Sequence, residues 1–240
     1  MSLFSRLLCS LRLTLSQLNN LTSDGFLSGM DWFLNQTASI STCGGLRTYI
    51  CPLLALPRPD FIPDEIALLQ YESEAEYKSF YSTPLGQYYQ GLHERFFNMT
   101  LSHSLVPVGY GGSVKTGNAY CTPDCNVEWN DFQASTSTFY NHSENINAEA
   151  VEDIVAQIER VPGLAAAVFG VYDQYVKLFS FWKNALARAK GAAAVASILA
   201  SMTVVGNVSQ PAENVQPPLT LAYGTTVNVT ILPCDIQTVK

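Results

Sequence analysis

Charge is scarce in this sequence. Asp, Glu, Lys and Arg make up 14% of the 240 residues, roughly half the usual share. Positive charge is scarcest, with 13 Lys and Arg against 20 Asp and Glu and a net charge of −7. No basic run occurs, so the positive footprint that nucleic acid needs is missing, as is a polybasic patch for anionic lipid. Histidine occurs three times, at His93, His103 and His142. There is no His-Glu-x-x-His, no Gly-x-Ser-x-Gly and no Gly-x-Gly-x-x-Gly. Zinc proteases, nucleophile-elbow hydrolases and dinucleotide enzymes therefore lose their usual signatures. Cys121 and Cys125 lack a second close Cys or His pair to complete a zinc site. No metal and no cofactor is expected.

One stretch imitates a phosphate loop. In GYGGSVKTG, Gly109 and Lys115-Thr116 fit the frame G-x-x-x-x-G-K-[ST], but Val114 stands where the second glycine belongs. The stretch leads into GNAYCTPDC instead of a helix, which excludes the backbone cradle that phosphate needs. It reads as a flexible connection between two halves, or a lid over a pocket.

Hydrophobic residues make up 48% of the chain, enough for a well-filled core. N-x-[S/T] sequons begin at Asn20, Asn35, Asn98, Asn141, Asn207 and Asn228. They point to a glycosylated chain of the secretory route, the rival being polar loop composition. Six cysteines, Cys9, Cys43, Cys51, Cys121, Cys125 and Cys234, fit that route. Cys121 and Cys125 bracket Thr-Pro-Asp and suit a small disulfide-closed loop. The first 18 residues point elsewhere: Arg6 and Arg12 interrupt the apolar run that a secretory signal needs, and the acid-free character is that of an organelle transit peptide. Localisation stays open between the secretory route, an organelle and the cytoplasm.

Along the chain, residues 1–29 read as a leader or disordered segment. Residues 30–36 read as a strand, and the segment 44–59 starts with helical spacing that its prolines cut short. The run Asp64–Tyr71 is a buried strand. Ser73 caps a first helix, and Pro84 opens a second that ends near Phe97. Residues 99–126 are loop-like and 127–140 extended. Asn145 or Asn147 caps a helix carrying Val151, Ile154, Val155 and Ile158, and a long helix follows from Leu164 to about Lys190. The apolar run 191–206 is short and alanine-heavy for a membrane span. A buried helix is the favoured reading, and a span is the alternative. One or two strands close the chain around Gly224. The order suggests α+β with an antiparallel sheet, divided at residues 30–105, 106–126 and 127–240.

The segment Glu65 to Leu105 runs from a strand ending in Tyr-Glu-Ser to an acidic helix start. Tyr77, a break at Thr83-Pro84-x-Gly86, Tyr88-Tyr89, Leu92-His93 and Phe96-Phe97 follow. It resembles domains of the dimeric α+β barrel superfamily, with its monooxygenase-like, EthD-like and stress-response members. The resemblance implies tandem ferredoxin-like halves whose antiparallel sheets form an α+β barrel. It also implies an apolar pocket between helices and sheet. The double length departs from the single-domain pattern, so the protein is expected as a monomeric pseudo-dimer or a homodimer.

Chemistry centres on His93. Tyr89, His93 and Phe97 lie at i, i+4 and i+8 on one helix face, so His93 could be a general acid/base, or a half-buried histidine bonded to backbone. Tyr175, Phe179 and Trp182 form an aromatic series, with Tyr172, that lines a ligand site or is core. The leading reading is a small-molecule-binding α+β barrel protein, a cofactor-free oxygenase or isomerase on an apolar substrate with His93 as acid/base. A secreted, glycosylated, non-catalytic binding or structural protein is the second reading, and a membrane-anchored ectodomain the third.

Overall fold

The structure is a computed structural model. It describes residues 8–14, 29, 32–33, 36–37, 40–50, 59, 61–63, 65–100, 102–141, 145–201, 206–211, 219–220 and 226–227. The chain divides into two compact units. The first comprises Met1–Leu53, Pro63–His103 and Val215–Lys240; the second comprises Leu54–Ile62 and Ser104–Asn214.

Strands β1 (Leu8–Thr14), β2 (Leu46–Ile50) and β3 (Glu65–Tyr71) of the first unit form a sheet with β4 (His103–Leu105), which begins at the last residue of that unit's middle segment, in the order β2-β3-β1-β4. Residues 8–14, read above within a leader, pair antiparallel with β3 along its whole length. β3 is EIALLQY, and all seven residues are buried. Its two polar side chains have partners: the Tyr49 hydroxyl donates to Glu65 Oε1 at 2.9 Å, and Thr48 Oγ1 lies 3.5 Å from Gln70 Oε1.

The helices begin where the sequence marks them. For α1 (Glu74–Tyr81), Ser73 Oγ accepts from the Glu76 amide at 3.1 Å as the N-cap and donates to the Glu76 carboxylate at 3.2 Å. For α2 (Pro84–Phe96), Thr83 Oγ1 accepts from the Gly86 amide at 3.0 Å, and Pro84 sits where no intrahelical donor is needed. Residues 30–36, expected as a strand, are helical at the described positions Trp32, Phe33 and Gln36. Thr37 and Ser41 there donate to the carbonyls of Phe33 and Thr37. Residues 46–50, expected to have helical spacing, are strand β2. The unit's core gathers Phe33, Ile40, Tyr49, Leu69, Tyr71, Phe80, Tyr89, Leu92 and Phe97.

The second unit holds β5 (Val108–Gly109), β6 (Asn118–Thr122), β7 (Gln133–Tyr140), α3 (Ala148–Ile158), β8 (Leu164–Val171), β9 (Tyr175–Trp182), α4 (Ala185–Ser201) and β10 (Gly206–Pro211). The sheet order is β10-β7-β9-β8-β6-β5, antiparallel except for β5 on β6. Strands β4, β5 and β6, from His103 to Thr122, fall in the stretch read as loop. Asn147 is the cap of α3, its Oδ1 accepting from the Glu149 amide at 2.9 Å. Short strands β11 (Leu219–Thr220) and β12 (Thr226–Val227) pair antiparallel. None of the three sheets formed by the described strands closes into a barrel.

The expected long helix from Leu164 is instead the β8–β9 hairpin, and helix begins only at Ala185. Tyr172, Tyr175, Phe179 and Trp182 happen to fall at near-helical spacing. Yet every residue of YVKLFSFW is buried in β9. A strand covered on both faces shows no polar–apolar alternation, so periodicity gives no strand signal. The valines and aromatic residues of the hairpin favour the sheet.

Helix-facing side chains of the hairpin, Phe169, Val176, Leu178 and Trp182, pack with Phe139, Val151, Ile154, Val155 and Ile158. α4 adds Val195 and Leu199, and its Gly191 lies flat against Trp182. The Trp182 ring is itself pinned, its Nε1–H donating to Ser135 Oγ at 2.9 Å.

The imitation phosphate loop is anchored in the same core. Val114, the misfit, is the buried residue of GGSVKTG and packs in the core cluster. Its amide donates to Glu152 Oε1 at 3.0 Å, the Lys115 amide to the Tyr120 hydroxyl at 2.8 Å, and the Gly117 amide to the Val171 carbonyl at 2.8 Å. Three N–H groups of the loop are thus already used, one of them by a carboxylate.

Two outcomes follow from this packing. Val114→Gly restores the phosphate-loop pattern yet should gain no nucleotide binding by calorimetry, while costing about 2 kcal/mol in urea unfolding. Gly191→Ala improves helix propensity by about 1 kcal/mol. The new methyl group meets the fixed Trp182 ring, so a net loss of about 1–3 kcal/mol should appear in thermal denaturation.

Candidate functional site

Helix α2 carries Tyr89 and His93 one turn apart, with Phe97 as its C-cap. All three are buried, and the His93 ring lies 4.5 Å from Tyr89, 4.9 Å from Phe33 and 6.2 Å from Phe97 between centroids. His93 Nδ1 lies 2.9 Å from the Tyr89 carbonyl oxygen. A carbonyl only accepts, so Nδ1 carries a proton. The three candidate residues of α2 therefore come together, in an aromatic nest.

The β9 candidates divide. Side chains alternate along a strand, so Tyr175 and Phe179 lie on one face and Trp182 on the other. Trp182 belongs to the helix-side core. Tyr175 stacks on Tyr172 at 4.5 Å.

Between Tyr175 and Phe179, on their face, stands Lys177. It is 0% exposed. Its register partners are Thr138 on β7 and Gly170 on β8. Nζ donates to Thr138 Oγ1 at 3.1 Å and lies 5.3 Å from the centroid of the Phe179 ring. Gly170 contributes no side chain, which leaves room for the long lysine stem. Phe181 continues this face, stacked on the fully buried Trp129 at 5.1 Å. Thr136 adds a second buried hydroxyl. Sequence reasoning passed over Lys177 because lysine normally marks a solvated position. The available signal was one cation inside an eight-residue run otherwise made of apolar residues and a serine.

A groove of 360 Å³ in the first unit is lined by residues that include Cys43, Gly45, Glu76, Phe80, Thr83 and Leu85. It contains none of the residues nominated from sequence. Cys121 and Cys125 are joined as a disulfide with their Cα atoms 5.3 Å apart, and Cys43 is disulfide-bonded as well. Among the described residues no three His, Cys, Asp or Glu side chains gather as metal ligands. No described helix is long and apolar enough to cross a membrane, and the run 191–206 contributes residues 191–201 to α4.

The sequons are distributed over both units. Asn98 lies in the turn after α2, Asn141 directly follows β7 and Asn207 is in β10. Asn20, Asn35, Asn228 and the side chain of His103 fall outside the described residues, as does His142.

No family model and no curated protein matches the chain. Among solved structures it is similar to an anthrone oxidase-like protein, at 10% identity over 90% of this chain and 94% of that one, with a TM-score of 0.42. It is similar also to a proposed monooxygenase from Lactobacillus acidophilus, at 9% identity over 95% and 100% of the two chains and a TM-score of 0.42. A proposed chlorite dismutase matches at 9% identity over 88% and 95%, with a TM-score of 0.39. Likenesses of this depth carry no activity across.

Burial raises the phenol pKa of Tyr172 well above its ordinary value of 10.0, with Tyr175 adding to it, and burial alone raises Tyr175. Both phenols stay neutral in the folded chain at pH values where the unfolded chain ionises. Their contribution is therefore complete below pH 10 and is lost as pH rises toward the folded values. Stability measured by urea unfolding should fall steeply between about pH 10 and pH 12. Tyr175→Phe should make that fall shallower.

Proposed function

We propose that the chain is a small-molecule-binding α+β protein made of two ferredoxin-like halves, with its ligand held on the Lys177 face of the second half. Each half runs strand, helix, strand, strand, helix, strand. The strand orders, β2-β3-β1-β4 and β10-β7-β9-β8, are the same order read from opposite edges. That connection order supports the ferredoxin-like reading.

Lys177 carries the functional reading. An ammonium ion is costly to bury, and an apolar side chain of the same length packs such a place at no electrostatic cost. A lysine retained there, with hydroxyls and aromatic rings on its face, has the composition of a site for an apolar ligand bearing one anionic or carbonyl oxygen. In a catalytic version the ammonium stabilises the enolate or oxyanion that forms when such a substrate is oxygenated or isomerised.

A second reading places the ligand beside Tyr89, His93 and Phe97. The bond from Nδ1 to the Tyr89 carbonyl favours it, because it orients the imidazole within the aromatic nest and puts a proton on Nδ1, as a general base acting through Nε2 requires.

Quenching of tryptophan fluorescence by 2-naphthoate, an aromatic anion, separates the two. Saturable binding is expected in the native chain. Lys177→Met should weaken it at least about tenfold in a variant whose circular dichroism spectrum matches that of the native chain. Equal binding by that variant, or no saturable binding at all, removes the Lys177 reading. Loss of binding in His93→Phe alone moves the site to the first unit.

A further inference from the structure

We propose that Asn98 is an N-glycosylation site. Nδ2 of its carboxamide would be linked to a sugar from a lipid pyrophosphate-linked oligosaccharide. Asn98-Met99-Thr100 follows the C-cap of α2, and Met99 and Thr100 are exposed. The sequon folds back on itself. Asn98 Oδ1 accepts from the Thr100 amide at 3.1 Å and from the Thr100 hydroxyl at 2.6 Å. Ser102 Oγ donates to the Asn98 carbonyl at 3.1 Å, closing the turn.

Those bonds all fall on oxygen atoms. Both donors of Thr100 hold the carboxamide plane by Oδ1, and Nδ2 has no hydrogen-bond partner among the described residues. The one atom that must carry the glycan is therefore the one the fold does not use, and a glycan there removes no protein contact. It would also cover Met99, which is 41% exposed. The backbone of Asn141 is differently placed, its amide donating to the Gln174 carbonyl at 2.9 Å beside the sheet.

The disulfides supply independent support. Cys43, Cys121 and Cys125 are all oxidised in the structure. Structural disulfides persist in the same oxidising lumen in which asparagine is glycosylated. In the transfer, the Nδ2–C1 bond forms and the bond from C1 to the pyrophosphate oxygen breaks. The amide loses one proton, and the lipid pyrophosphate leaves. No oxidant or reductant is needed.

The test is production of the full chain, with its own N-terminus, in insect cells. Peptide N-glycosidase treatment in heavy-oxygen water, followed by peptide mapping, converts each occupied asparagine to labelled aspartate. Asn98 is expected to be labelled. Asn98→Gln and Thr100→Ala should each abolish that label, while Thr100→Ser should retain it at lower occupancy with an unchanged circular dichroism spectrum. An unlabelled Asn98 overturns the proposal, whether other sequons are occupied or none is. So does a label that survives Thr100→Ala.

Discussion

The second unit depends on a sheet whose middle strands are covered on both faces. β9 lies between β7 and β8, and all its residues are buried. Each residue of that strand therefore has to satisfy two neighbours in the sheet and a packed layer. On the helix side the solution is conventional: Val176, Leu178 and Trp182 fit the apolar stripe of α3 and the small-residue surface of α4. The narrowness of Gly191 follows from the breadth of Trp182. The indole in turn is held by Ser135, so one hydrogen bond on β7 sets how closely α4 can approach.

The same double covering decided what could be read from the sequence. Caps act within a few residues, so Ser73, Pro84 and Asn147 announced their helices correctly. The buried strand β3 was legible because acids and a proline bound a compact apolar run. The β8–β9 hairpin was not, since burial on both faces erases the alternation by which strands are recognised. Its turn is equally inconspicuous: the Tyr172 amide donates to the Tyr175 carbonyl, and no glycine or proline sits between them. The segment 103–122 looked like loop because its strands are only two to five residues long.

Val114 shows the limits of motif reading in the other direction. Its side chain was taken as a defect in a phosphate loop, and it is a defect. It is also what fastens the loop, through a buried isopropyl group and an amide held by Glu152. Tyr110, at the start of the loop, has its pKa raised by burial and then by Glu152, Glu159 and Asp153. An acidic helix face beneath the loop is hostile to a phosphate and well suited to holding backbone amides. One substitution thus converts a ligand-binding pattern into a structural clasp.

His93 and Lys177 pose the candidate-site question in opposite ways. His93 was visible because histidine is rare here, and its spacing from Tyr89 and Phe97 was right. Its ring nevertheless does what an aromatic core residue does, packing edge-on against Phe33 and bonding its own helix. Lys177 was invisible because it is the residue type least expected inside. Its register neighbours are small, glycine and threonine, so the position has space for an apolar side chain of equal length. His93 thus packs as an aromatic ring would, whereas Lys177 brings a buried cation to the face that carries Thr138 and Phe179.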